Sequence, residues 1–511
     1  MTRRWLLAAL ALGACSGDDT HYVVVTVTGR PAVHAAASLV VSLSNAGTTR
    51  MDTFPLDATF PTSPATFSLS APGRTGDLGI SIDATDAAGI LVGHGTAMAK
   101  LTDDTAAVLL DTTDFVVNTD YAGDQYPDQD FEAAGFQLAA IPGGPWTVAF
   151  RDDCPTLSCT LFGRRFDSHG AAVSTDLAAG TNAFTLNTSP TTFASTPAIA
   201  SNPTITLALW DYYDPADSTG DVHGVACRAI DAMGRATGDQ TSTAISTDAA
   251  DVVSITPLAS GNFAASWNTF LAASSLEVVH AQIIKPDCTP LLPTQLTLST
   301  GTVDARRASV AANGDAVLYT WIVDGNLHAR VVTSAGLLSS GDLVLAAKAP
   351  PLQIEHARVA PGPNAGFVVA VRSAQATGTG PGKIDLYVVD ATGKLVGAPT
   401  LVTDKTASEP SFSNDDSFAI AHASDGTVLV AWHACGSEGD GSMCGVFGQY
   451  MKDTGGAIGT NFVIPTTTDG DQAFPSVVAL DQGFAATWSD ASGKAPDISG
   501  KAARARIIYP P

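Results

Sequence analysis

From about residue 136 to its end the chain repeats one unit, and a repeat of this length restricts the fold more than any other feature of the sequence. Each unit opens with an apolar strand, turns at a Gly or Asn, and continues in a strongly apolar second strand. The second strands are predicted at 146–150, 205–210, 263–267, 316–321, 367–371, 428–432 and 484–488. All but the fifth, which ends at Val371, end in Trp or Phe. The spacing between these ends, about 50 to 61 residues, is enough for four strands. A third strand follows in most units and ends in a polar–x–Gly turn, as at Ser168-His169-Gly170, Ala232-Met233-Gly234 and Ala391-Thr392-Gly393. A fourth strand returns, as at Phe462-Val463-Ile464.

One comparison turns this open array into a ring. Phe115-Val116-Val117, followed by Gly123-Asp124-Gln125, precedes the first unit and matches Phe462-Val463-Ile464, followed by Gly470-Asp471-Gln472. The seventh unit stops at Tyr509-Pro510-Pro511 without a fourth strand, so the segment from Phe115 is expected to supply it. Closure of this kind leaves no sheet edge to propagate. The unit resembles repeats of bacterial extracellular β-propeller proteins, best at Pro475 to Trp488 and Gly500 to Arg504. That resemblance covers about 390 residues and implies architecture, not activity. The Trp-Asp dipeptide stands once, at Trp210-Asp211, and neither it nor the kelch double-Gly pattern nor the Asp-rich integrin-type calcium loop recurs from repeat to repeat.

Before the repeats, residues 21–112 carry alternating apolar and polar runs, as at 21–28, 39–44 and 77–84, with turns at Asn45-Ala46-Gly47 and Asp86-Ala87-Ala88-Gly89. Roughly seven short strands are expected. Their rhythm looks like the small Ig-like or transthyretin-like sandwich of many exported lipoproteins. The predicted fold class is therefore all-β: a small N-terminal β-sandwich, then a seven-bladed β-propeller over 113–511 closed by an N-terminal strand.

The first residues predict export. Arg3 and Arg4 precede a short apolar run, Trp5 to Leu12, too short to cross about 30 Å of hydrocarbon. Leu12-Gly13-Ala14-Cys15 resembles the lipobox of bacterial lipoproteins. The resemblance implies a signal peptide over 1–14, acylation of Cys15, a lipidated linker over 15–20, and residence in the cell envelope, most simply at the outer membrane. More than one acyl chain gives stable anchoring.

Six further cysteines suit an oxidising compartment. Cys154 with Cys159 and Cys435 with Cys444 flank hairpin loops, where facing positions meet the disulfide distance. Cys227 and Cys288 are left over and could join neighbouring units, a pairing the sequence leaves open. The net charge of −24 opposes binding to nucleic acid or to an anionic membrane surface.

Loops joining second to third strands, and those joining blades, share one face of a propeller. There the blade-two loop offers Asp211, Tyr212, Asp214, Asp221 and His223, and the blade-six loop offers His433. Asp152 opens the blade-one loop, while Asp124 and Asp471 lie on inter-blade connections. Together they predict an acidic, aromatic-edged face able to bind a cation, of which Ca2+ suits carboxylates best, or to stack a sugar. No G-x-S-x-G, H-E-x-x-H, P-loop or dinucleotide motif is present. The strand-ending Trp residues, in register from blade to blade, read as packing residues. The expected function is a monomeric, non-enzymatic surface module that binds an extracellular glycan or protein. The runner-up is a hydrolase or lyase acting on extracellular polysaccharide, and a purely structural part of an envelope assembly is the third reading.

Overall fold

The computed structural model describes residues 22–511 apart from 71–73, 104, 119–124, 127–135, 153–159, 174–182, 188–192, 195–196, 214–222, 247–249, 272–274, 301, 376–381, 404–417, 436–438, 442 and 495–499. Cys15 and the lipobox lie outside the described residues. Among the described residues no helix is long and apolar enough to cross a membrane. The chain divides into two compact units, Met1–Asp114 and Phe115–Pro511.

In the first unit, alternation of apolar and polar residues gives seven strands, Tyr22–Gly29, Ser38–Asn45, Thr48–Pro55, Ala65–Ser70, Asp77–Thr85, Leu91–Lys100 and Thr105–Thr112. The expected pair of sheets is linked into one hydrogen-bonded path, in the order third, second, fifth, sixth, seventh, first, fourth. Among the described residues the sixth strand joins the seventh only through Gly93 and His94, opposite Thr112 and Asp111. The first and seventh strands run parallel. Inward residues of both stretches, including Val23, Val25, Leu39, Val41, Ile80, Ile82, Val108 and Leu110, share one core.

The second unit is a seven-bladed β-propeller. Its innermost strands are Gln137–Ala140, Ala198–Ser201, Ala250–Pro257, Ala305–Asn313, Leu352–Pro361, Phe418–His422 and Gln472–Leu480. They pack side by side in chain order, and the seventh meets the first. Each second strand starts at or within one residue of its predicted position and runs two to four residues further, as in Ile205–Tyr213 and Thr427–Cys435. In blades one, two, five, six and seven the extension brings in polar residues, such as Asp211 and His433, which apolar patterning could not show, yet its backbone still pairs with the third strand. In blade seven the third strand, Ala502–Ile508, pairs with Phe115–Val116.

Blades adhere through alternating apolar layers and a few recurring polar clamps. Trp146, Trp210, Trp267, Trp321 and Trp488 are fully buried, as expected of packing residues. Asn202 Nδ2 donates to the carbonyl of Gly261 in the next blade at 2.8 Å, and Asn313 Nδ2 donates to those of Gly362 and Gly366 at 2.8 and 2.7 Å. Arg228 reaches the Leu186 carbonyl of the preceding blade at 2.9 Å, and Arg506 reaches that of Ile464 at 2.7 Å. Buried Arg165 donates to the carbonyls of Asp231 and Ala232 in blade two at 3.0 and 2.6 Å. Such bonds tie the backbone of one blade to a side chain of its neighbour. Cys227 in the third strand of blade two is disulfide-bonded to Cys288 in the turn after the third strand of blade three, with Cα atoms 5.8 Å apart. Cys435 and Cys444 face each other across a blade-six hairpin and are also bonded.

Candidate functional site

The predicted ligand residues belong to the upper face, which carries the second-to-third turns and the blade connections. Asp214, Asp221, Asp124, Cys154 and Cys159 lie outside the described residues, as do the side chains of Asp152 and His223. Asp211 is half-buried at the upper end of the blade-two second strand. Tyr212 beside it is 4% exposed and packs in the core between blades one and two, so its ring is no edge for a ligand. Alternation explains this: neighbouring residues of a strand face opposite sides, and Tyr212 takes the inward one.

His433 is likewise buried, at 1% exposure. The backbone N–H of Phe474 donates to its Nδ1 at 3.3 Å, and the two rings meet edge-on at 5.4 Å. Burial, reinforced by the Arg372 guanidinium, pushes the imidazole down to about 3, so it is neutral and serves as an acceptor. Asp471 accepts the N–H of Cys444 at 3.1 Å, tying the blade-six hairpin to the connection into blade seven. The structure thus brings His433, Phe474, Cys444 and Asp471 together as a brace between blades six and seven. Among the described residues no three His, Cys, Asp or Glu side chains stand where they could share a metal ion.

A hollow among the described residues lies elsewhere on this face, a pocket of 660 Å³ over blades three to five. Turn length explains its position. Blade four joins its second and third strands through Asp324-Gly325 alone, with φ of 49° and 74°, the two-residue turn that matches strand twist. The corresponding connections are four residues in blade three and seven in blade five, between Leu271 and Leu276 and between Gln375 and Lys383. The short turn leaves the notch above blade four.

Charged groups in the notch are held in pairs. Asp304, on the connection into blade four, accepts the N–H of Glu277 at 2.9 Å on one oxygen and stands 2.6 Å from Arg306 Nε on the other. Glu277 lies 3.4 Å from the same Nε. Lys348 Nζ meets Asp324 at 3.1 Å, and buried Arg372 meets Glu355 at 3.3 Å. Arg307 Nη1 donates to the Glu355 carbonyl at 2.9 Å. Its backbone is left-handed, φ 60°, at a bulge where the innermost strand shifts register between Arg306 and Ser309. An arginine in this region costs of order 1 kcal/mol, and such bulges re-aim side chains. Apolar walls come from Ile322, Val323 and Ile354, and Val303 is 45% exposed at the rim. Sequence reasoning missed this site. Its signals were the consecutive Arg306-Arg307 at the head of an innermost strand and the Asp324-Gly325 turn, which is shorter than any other second-to-third connection.

A second, narrower cavity of 190 Å³ is the central channel, lined by all seven innermost strands. Arg358 projects there beside Phe418, its guanidinium carbon 5.9 Å from the ring centre.

No family model matches the chain, and no curated protein matches it. Among solved structures, a protein of unknown function from Dyadobacter fermentans is similar over 78% of this chain and 99% of its own, at 12% identity and a TM-score of 0.45. A Hadza microbial sialidase is similar over 96% of this chain and 93% of its own, at 9% identity and a TM-score of 0.42. An endo-arabinase from Bacteroides thetaiotaomicron is similar over 69% and 99%, at 10% identity and a TM-score of 0.34. Likeness at this level carries nothing about the activity of this chain.

Proposed function

We propose that the chain is a lipid-anchored envelope protein whose propeller acts as a non-enzymatic binding module for an extracellular glycan, seated in the notch over blades three to five. Cys15 holds the lipid, the first unit is a sandwich-like spacer, and Phe115–Val116 closes the ring as the outer strand of blade seven. The observation that carries the reading is the pocket itself: 660 Å³ falls within the range of small-ligand sites, with apolar walls and a few fixed polar groups.

The same geometry favours binding over cleavage. Two-carboxylate glycoside cleavage needs one carboxyl protonated, to act as general acid. Glu277, Asp304, Asp324 and Glu355 each stand beside an Arg or Lys, so none is set apart from cations as a general acid would be. The test is a glycan array probed with the purified chain and with Val303→Trp, which fills the rim at a half-exposed position. Binding by the native protein and its loss in the variant, with unchanged thermal unfolding, is the expected result. Release of shortened glycan by the native protein would replace this reading with the hydrolase or lyase.

A further inference from the structure

Resting on that reading, we infer that the notch recognises a neutral, hydroxyl-rich saccharide rather than an acidic one. The chain carries an excess of acidic residues, yet the pocket and its direct partners do not share it. Four carboxylates, on Glu277, Asp304, Asp324 and Glu355, stand against four cations, Arg306, Arg307, Lys348 and Arg372. An anionic ligand would have to compete with the carboxylates that Arg306, Lys348 and Arg372 engage and with the Glu355 carbonyl held by Arg307, and a cationic one would face the reverse problem. A hydroxyl both donates and accepts, so it can bridge a guanidinium N–H and a carboxylate oxygen without disturbing either charge.

The groups are arranged for such bridging. Arg306 is anchored at Nε by Asp304 and Glu277, which fixes the plane of its guanidinium. Its side chain is 50% exposed, and among the described residues its two terminal nitrogens make no hydrogen bond. The Asp324 side chain, 83% exposed, stands on the rigid two-residue turn and turns Oδ2 toward Lys348. Its other oxygen is left for a ligand hydroxyl. Val303 exposes an apolar surface at the rim, against which the C–H face of a sugar ring can rest. Guanidinium, carboxylate and apolar rim thus line one hollow.

The experiment is the glycan array read at two salt concentrations, with neutral and uronic- or sialic-acid glycans side by side. Preference for neutral glycans is expected, with affinity changing less than about two-fold between about 0.05 M and about 0.5 M salt, because no net ion pair forms with the ligand. Arg306→Ala is expected to weaken binding at least about ten-fold and Arg306→Lys less, since lysine keeps the charge but not the planar fork. Leu337→Ala, in the exposed turn after the third strand of blade four, is the control and leaves binding unchanged. Preference for acidic glycans, weakening steeply with salt, would overturn this inference while leaving the binding module intact. No binding to either class by the folded protein would overturn both.

Discussion

Removing the Cys227–Cys288 disulfide should destabilise the propeller more than removing Cys435–Cys444, and the difference can be worked from the two loops. The first closes a sequence separation of 61 residues and the second a separation of 9. In the chain-entropy account, stabilisation grows with the logarithm of loop length, giving about 4 kcal/mol for the longer loop and about 2.5 kcal/mol for the shorter. Loss of the two buried sulfurs adds to the first figure, because Cys227 and Cys288 sit in the core shared by blades two and three. The paired variants Cys227→Ala/Cys288→Ala and Cys435→Ala/Cys444→Ala would be unfolded in guanidinium chloride under non-reducing conditions, following tryptophan fluorescence. The expected result is a lower midpoint for both, with the larger drop in the first pair. Equal drops, or a larger one for the hairpin pair, would refute the loop-length reasoning.

Three further outcomes follow from buried polar groups and from the notch. His433 has its folded value lowered to about 3 from an ordinary 6.5, so the unfolded chain binds the extra proton between those values. Its contribution to stability is therefore complete above pH 6.5 and lost as pH falls toward 3, at up to about 1.4 kcal/mol per pH unit; His433→Asn should flatten the midpoint-versus-pH curve in that window, and an unchanged slope would count against it. Arg165→Met should cost about 3 kcal/mol in denaturant unfolding, since it removes the charge-assisted bonds from a buried guanidinium to the carbonyls of Asp231 and Ala232 across the blade border, whereas Arg235→Ala, at an exposed ion pair, should stay within about 0.5 kcal/mol. Gly325→Ala places a side chain at φ 74° against Gln353 and should cost about 1 kcal/mol while narrowing the notch, read as lower thermal stability together with weaker glycan binding.

The repeat was legible because packing requires it. Every second strand must bury both faces between neighbouring blades, so its apolar run and its terminal aromatic recur whatever the loops do, and Trp210, Trp267, Trp321 and Trp488 mark the blades in the sequence as they do in the core. The pairing of Cys227 with Cys288 stayed open in the sequence, because the two cysteines lie in different units and spacing alone does not bring them together; the structure supplies the bond. Nor was burial at the strand ends legible. Tyr212 and His433 looked like loop residues because polar neighbours surround them in sequence, but the second strands continue past the apolar run and turn both side chains inward. The parallel pairing of the first and seventh strands in the first unit left no sequence signal either, since alternation fixes which side a residue faces and not which strand lies beside it.

The candidate site meets the same limit from the other side. Acidic and aromatic residues drew attention to the loop of blade two, most of which lies outside the described residues; the notch over blades three to five forms where chain is short, and the informative feature of blade four is how little lies between Val323 and Asn326. Two residues suffice for the turn only because Asp and Gly accept positive φ. The same economy exposes the heads of the adjoining innermost strands, where Arg306, Arg307 and Glu355 stand. A repeat protein can therefore make a binding site by shortening one unit's loop rather than elaborating it, while the neighbouring blades supply the walls and the shared core, untouched, supplies the stability.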